Sequence, residues 1–266
     1  MSAIDDGGSC IARAKLKVYA PEVVPLSLCD YIGEPACVVF FSGCNNACGY
    51  CQNSRLMKAS EEHLIDLDVI EESIRRNKLI SACKVTGGEP LLQPDALAEL
   101  GRFVKSLDLK FGVDTNGTLP KPLRVILPLL DLVSIDVKTS LNEKAYIRIT
   151  SIPSPCTGKV NESLSAVLSS NAYCDVRMVV IPGINDSVDV IRSVAASLRS
   201  LGYEEKACKG KASFTLAEFI PEFAFQEKFR KIRNPTSDEL ISLALSSGLT
   251  NARVTHRVLG FFQKVE

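Results

Sequence analysis

The chain has 266 residues, 46% of them hydrophobic and 23% charged, which is ample material for a core in one or two domains. Its 31 basic residues balance 31 acidic ones, which argues against nucleic acid or an acidic membrane surface as an obligatory partner. Residues 1–10 lack an apolar h-region and no apolar run approaches the ~18 residues of a membrane span, so the ten cysteines point to a reducing cytoplasm rather than a secreted disulfide scaffold.

Residues 11–19 alternate, with Arg13, Lys15 and Lys17 on one side and Ala14, Leu16 and Val18 on the other. This predicts a half-exposed strand in a small hairpin, within an N-terminal extension over residues 1–35. From residue 36 to 266 short apolar strands alternate with amphipathic helices. The strands are expected at 36–42, 81–86, 109–115, 131–138, 173–181 and 213–220. In 94–107, Leu97, Leu100, Val104 and Leu107 share a helical face, with Pro94 suited to the first turn. In 187–201, Val188, Ile191, Ala195 and Leu198 do the same, and Gly202 ends the helix. Thr236 and Glu239 form a capping box before a helix that Gly248 closes. Helices near 66–79, 120–128 and 159–170 complete the rhythm. Six such units predict an α/β fold, a partial (β/α)6 open barrel of the TIM type.

Directly after the first of these strands, residues 43–53 read GCNNACGYCQN. Cys44, Cys48 and Cys51 are thiols close enough in sequence to converge on one soft metal centre. Structural zinc and simple electron-transfer clusters are closed by four ligands, whereas three on a cubane leave one iron open. Gly43 and Gly49 allow the loop tight or left-handed turns. Thr86-Gly87-Gly88-Glu89-Pro90 ends the second strand. Taken by itself it reads as a strand-ending turn, since Gly-Gly and Glu-Pro are both breakers. Asp114-Thr115-Asn116-Gly117 ends the third strand in the same way. In 131–138, period two sets Leu132, Ser134, Asp136 and Lys138 on one face and Val133, Ile135 and Val137 on the other. Charged side chains pointing inward at the carboxyl end of a barrel strand belong to an active site, or to a structural ion pair at the mouth.

The three-cysteine loop, with Tyr50 as the aromatic before the third cysteine, resembles the radical S-adenosylmethionine (SAM) signature. The resemblance implies a [4Fe–4S] cluster whose open iron SAM chelates, and cleavage of SAM to a 5′-deoxyadenosyl radical that abstracts hydrogen. Gly87, Gly88 and Glu89 then match the motif that holds the SAM amino group, and Tyr50 belongs to the same cofactor site. The runs DTNG at 114–117, DVK at 136–138 and VIPGIND at 180–186 resemble the glycyl-radical-enzyme activating proteins, including the activases of anaerobic ribonucleotide reductase and pyruvate formate-lyase. That resemblance extends from about Leu26 to Glu222. It implies a monovalent cation near Asp114, Thr115 and Asp136, and a SAM contact from Lys138. It also implies a glycyl radical enzyme as partner, and a flavodoxin or ferredoxin as electron donor. No catalytic residue beyond the cluster is singled out.

Two features depart from the activase pattern. FIPEF at 219–223 stands where those proteins carry a histidine, and SIPSPC replaces a glycine-containing turn in 141–158. His63 and His256 are expected to have surface roles. Cys37, Cys83 and Cys174 lie inside predicted strands and read as core filling. Lys228, Arg230, Lys231 and Arg233 read as a solvated face; together with Lys206, Lys209 and Lys211 they keep an RNA substrate open. Two other functions therefore stand beside the activase: radical SAM modification of a small molecule or tRNA base, and a non-enzymatic zinc or iron–sulfur module.

Overall fold

The computed structural model describes residues 16–152 and 156–265. Residues 11–15 of the expected first strand, and the SIPSPC prolines at 153 and 155, lie outside the described residues. A strand covered on both faces needs apolar side chains on both, and β3 (Ala36–Phe41) meets that condition with every residue buried but Phe40. Five further strands coincide with the sequence expectation: β5 (Ala82–Gly87), β6 (Lys110–Thr115), β7 (Leu132–Asp136), β8 (Tyr173–Val180) and β9 (Ala212–Glu218). All six run parallel in the order of the chain. The sheet does not close on itself, as expected of a partial barrel.

A seventh parallel strand, β10 (Ala252–His256), lies beside β9 and was not anticipated. It follows α9 (Ser237–Ser247), whose capping box and closing Gly248 are as predicted. Antiparallel strands finish both edges of the sheet: β11 (Gly260–Lys264) on β10, and β2 (Glu22–Ser27) on β3. The predicted N-terminal hairpin takes a different form. β1 (Lys17–Tyr19) pairs antiparallel with the distant β4 (Leu64–Asp66), a long-range contact that local alternation cannot announce.

The helices α1 (Leu67–Arg76), α2 (Pro94–Ser106), α3 (Pro120–Ile126), α5 (Thr157–Leu168), α6 (Val188–Ser200) and α7 (Tyr203–Cys208) contribute apolar residues to the main core. Leu97, Leu100 and Val104 of α2 are fully buried, as the helical spacing predicts. Val133, Ile135 and Val137 join the same core, which leaves Leu132, Ser134 and Asp136 for the inside of the barrel. At the amino-terminal end of the barrel, Leu132 packs with Tyr31, Ala36 and Ala82. The carboxyl ends of the strands carry the turns that build the site. Among the described residues no helix is long and apolar enough to cross a membrane.

Neither histidine is a free surface residue. His256 is 8% exposed, with Nδ1 accepting from the Val258 amide and Nε2 3.8 Å from Glu218. The partly buried His63 places Nδ1 3.0 Å from the Ser42 hydroxyl.

Candidate functional site

The loop after β3 is fixed from several sides by backbone hydrogen bonds. The amides of Gly43 and Cys44 donate to the carbonyls of Leu56 and Met57, at 2.8 and 2.9 Å. Ala47 donates to Thr150, at the end of α4 (Glu143–Thr150). The Gly49 carbonyl accepts from Gln226, which precedes the short α8 (Glu227–Arg230). Asn45 fastens the loop to the next turn, its amide donating to the Thr118 hydroxyl at 2.7 Å and its carbonyl oxygen accepting from Asn116 at 2.8 Å. A side chain on Gly49 would strike the Phe229 ring, so glycine there lets α8 close over the loop.

The glycines after β5 serve a purpose the sequence did not specify. A Cβ on Gly87, at φ +117°, would collide with the Phe41 carbonyl, and one on Gly88 with the Gly43 carbonyl. The backbones of the two turns are thus in contact, locked by Gly88 and Glu89 amides donating to Phe41 and Gly43 at 2.8 and 2.7 Å. These glycines serve the approach of the cysteine loop first.

Ten of the eleven residues named from sequence line one cavity of about 440 Å³ at the carboxyl ends of the strands: Cys44, Cys48, Tyr50, Cys51, Gly87, Gly88, Asp114, Thr115, Asp136 and Lys138. Glu89 is the exception. It is completely buried, and its carboxylate accepts from Thr115 Oγ1 (2.9 Å), the Asn116 amide (2.7 Å) and the Leu91 amide (3.1 Å). Burial pushes its pKa up to about 7 despite those three donors. The role the geometry gives it is to tie the 87–89 turn to the 115–116 turn.

Asp136 and Lys138 form an ion pair at the mouth, Nζ to Oδ2 2.6 Å. Burial works against the Lys138 charge, but Asp136 outweighs it and holds the ammonium well above its usual range. Deeper in lies a polar layer that the sequence reading missed. Lys84 Nζ stands 2.6 Å from Asp114 Oδ1, and Arg177 Nη1 stands 3.6 Å from the same oxygen. Asp175 accepts from Ser213 (2.7 Å), Thr215 (2.6 Å) and Arg177 Nε (2.5 Å). Burial raises the pKa of the Asp114 carboxyl, yet the two cations win and it lies below the ordinary value. Both carboxylates expected to face a monovalent cation therefore already have a cation from the chain. The available signal was period two in β8, which puts Asp175 and Arg177 on one face of an otherwise apolar strand.

The residues present fit an iron–sulfur cluster and SAM on two grounds. Burial pushes the Cys48 thiol up to about 12, and burial likewise raises Cys44 and Cys51. Thiols this reluctant to ionise become ligands when a metal centre binds them as thiolates and their protons are released. Among the described residues no group of three cysteine, histidine or acidic side chains is gathered to hold a single ion, and a cubane spreads its ligands more widely than zinc does. Two buried polar atoms in the cavity wall, Asn46 Oδ1 and Arg177 Nη2, also lack a hydrogen-bond partner among the described residues. An acceptor and a cationic donor are thus left over for a bound group.

An open parallel sheet wrapped by helices, with a three-cysteine loop at the carboxyl ends of its strands, defines a partial-barrel α/β enzyme class. The sequence profile of the Radical SAM superfamily matches residues 38–194, more than half the chain, and the chain belongs to that superfamily. Its members use a [4Fe–4S] cluster and SAM. The chain is 28% identical to a Methanocaldococcus jannaschii protein provisionally described as a glycyl-radical enzyme activating enzyme, over 86% of this chain and 91% of that one. It is 24% identical to a 7-carboxy-7-deazaguanine synthase of Rickettsia prowazekii, over 86% and 82%. Among solved structures, a radical SAM methyltransferase from Sphaerobacter thermophilus matches with a TM-score of 0.64 at 16% identity, covering 86% of this chain and 68% of that one. That likeness concerns the fold alone.

Proposed function

We propose that this radical SAM enzyme is an activating enzyme, which generates a glycyl radical on a partner enzyme. The observation that carries the reading is the similarity, over 86% of this chain and 91% of the other, to the M. jannaschii protein provisionally described as such an enzyme. Cys44, Cys48 and Cys51 would hold the cluster, which when bound supplies SAM with one electron; the radical chemistry is the cofactor's. The chain contributes position and charge. Lys138, held by Asp136, and the unpartnered Nη2 of Arg177 offer cationic donors to a carboxylate, and Gly87 and Gly88 keep that wall of the cavity free of side chains. Tyr50 backs the cysteine loop against Phe229.

Electron paramagnetic resonance tests the reading. The reduced, SAM-loaded enzyme, incubated with a glycyl radical enzyme of the same host, should produce a glycyl doublet. Cys44→Ala, Cys48→Ala and Cys51→Ala should each abolish cluster absorbance after anaerobic reconstitution, whereas Cys83→Ala should reach the parent's iron content. The similarity to a 7-carboxy-7-deazaguanine synthase favours a second reading, a small-molecule substrate. Turnover of a small heterocycle with no doublet on any partner would replace the first reading with the second.

A further inference from the structure

A second concavity, of about 320 Å³, lies on the outside of the barrel between α4 and α8. Ile149, Phe229 and Ile232 form its wall, with Ile184 at the edge. The first three also pack in the small core that covers Cys48 and Tyr50. A single layer of side chains therefore separates this groove from the cysteine loop, on a side that the cavity does not occupy. Two cations, Arg148 and Lys228, stand at the groove, and none of its lining residues is acidic. Both are exposed, and neither has an ion-pair partner among the described residues; Lys228 lies over the Phe229 ring at 5.3 Å. Lys231 nearby is neutralised by Glu227, and Arg233 by Glu239; of the other two cations in the 228–233 stretch, Lys228 lines the groove and Arg230 donates to the carbonyls of Ala224 and Phe225. Phe223 and Phe225, 62% and 48% exposed, flank Ala224, another member of the small core.

We propose that this groove is the docking surface for the electron donor, a small acidic protein carrying a one-electron centre. The proposal rests on the cluster reading of Cys44, Cys48 and Cys51. If SAM and substrate fill the cavity, the electron must come from elsewhere, and the groove is where an apolar wall thin enough for electron transfer coincides with unpaired positive charge. One electron leaves the carrier, a flavin hydroquinone going to semiquinone, and one enters the cluster, from its 2+ to its 1+ state; no atom is exchanged. Opposite charges bring the partners together and an apolar contact seats them.

The test uses the double variant Arg148→Glu/Lys228→Glu and an acidic flavodoxin as probe. Binding of the flavodoxin to the purified protein, read by calorimetry at low salt, should weaken about tenfold, with a shallower salt dependence than the parent's. Cluster reduction by photoreduced flavodoxin should slow to match, while reduction by dithionite, which needs no docking, stays at the parental rate. The far-side variant Lys209→Glu should change neither. Parental affinity and rate in the double variant would overturn the proposal, as would an equal loss in Lys209→Glu. Retained carrier binding with loss of salt-sensitive tRNA binding would assign the groove to RNA instead. If the parent loads no cluster that dithionite can bleach, the cluster reading fails by itself, and flavodoxin binding still decides the groove.

Discussion

The turn after β5 and the end of β7 each bring a carboxylate to the same mouth, in opposite ways. Glu89 is fully buried and takes three hydrogen bonds from neighbouring turns, with no cation in contact with it among the described residues. Asp136 is 38% exposed on its side chain, lines the cavity and holds Lys138. Both came from motifs of the same kind, an acid at a strand end. The neighbouring backbone separates them. Two glycines let the first turn sink against the cysteine loop and take its acid with it, while β7 ends without such a partner and leaves its acid at the cavity. One acid belongs to the architecture of the site and the other to its contents.

The largest test of that contrast attacks the contact that sinks the first turn. Gly88→Ala should cost about 4 kcal/mol, because its Cβ meets the Gly43 carbonyl rather than a movable side chain. Thermal unfolding should show the loss, and anaerobic reconstitution should recover little iron. Near-parental stability and iron content would break the comparison at its root.

Next comes the pH dependence of Glu89. Its pKa in the fold is about 7 against an ordinary 4.5, so folding favours the protonated form. The stability this lends is complete below about pH 4.5 and is lost as the pH rises through 7, by about 3 kcal/mol. Urea unfolding of the cluster-free protein at pH 5 and pH 8 should show this slope in the parent and a flatter one in Glu89→Gln. Equal slopes would place Glu89 in a more solvated setting than the one described.

Asp136→Asn should do the reverse, leaving stability within about 1 kcal/mol because the pair is partly open to solvent. It should weaken SAM binding about tenfold by releasing Lys138 from its position, measured by calorimetry under argon. The smallest effect should come from the salt. Since Asp114 is paired with Lys84 and Asp136 with Lys138, exchanging potassium for tetramethylammonium should shift SAM affinity by less than about twofold. A larger shift would mean that a free cation shares one of these carboxylates.

How much of this could be read from the residues depends on the range of the interaction. The cysteine loop, the six strands and the two faces of β7 follow from spacing and period two, which are local. Lys84, Asp175 and Arg177 were missed because they interrupt strands that are otherwise apolar and act largely through partners on other strands, as when Lys84 of β5 and Arg177 of β8 meet Asp114 of β6. Glu89 was correctly placed at a strand end, yet the depth of its turn depends on Gly43, 45 positions away in sequence from Gly88. β10 escaped because its five residues, Ala-Arg-Val-Thr-His, are two-fifths charged or imidazole; β9 and β11 shelter them on either side.

The weak acidity of the three loop thiols bears on how the protein survives before it is complete. A thiolate, not a thiol, attacks disulfides and reacts with most oxidants, and at neutral pH Cys48 exposes roughly a thousandfold less thiolate than an unperturbed cysteine. The newly folded, metal-free chain thus keeps its loop chemically quiet, slow to cross-link or to climb toward sulfenic acid while it waits for iron and sulfide. Maturation then has a time window that air does not quickly close. Protein isolated in air with its metal lost should recover its iron after anaerobic loading without prior treatment by a reductant.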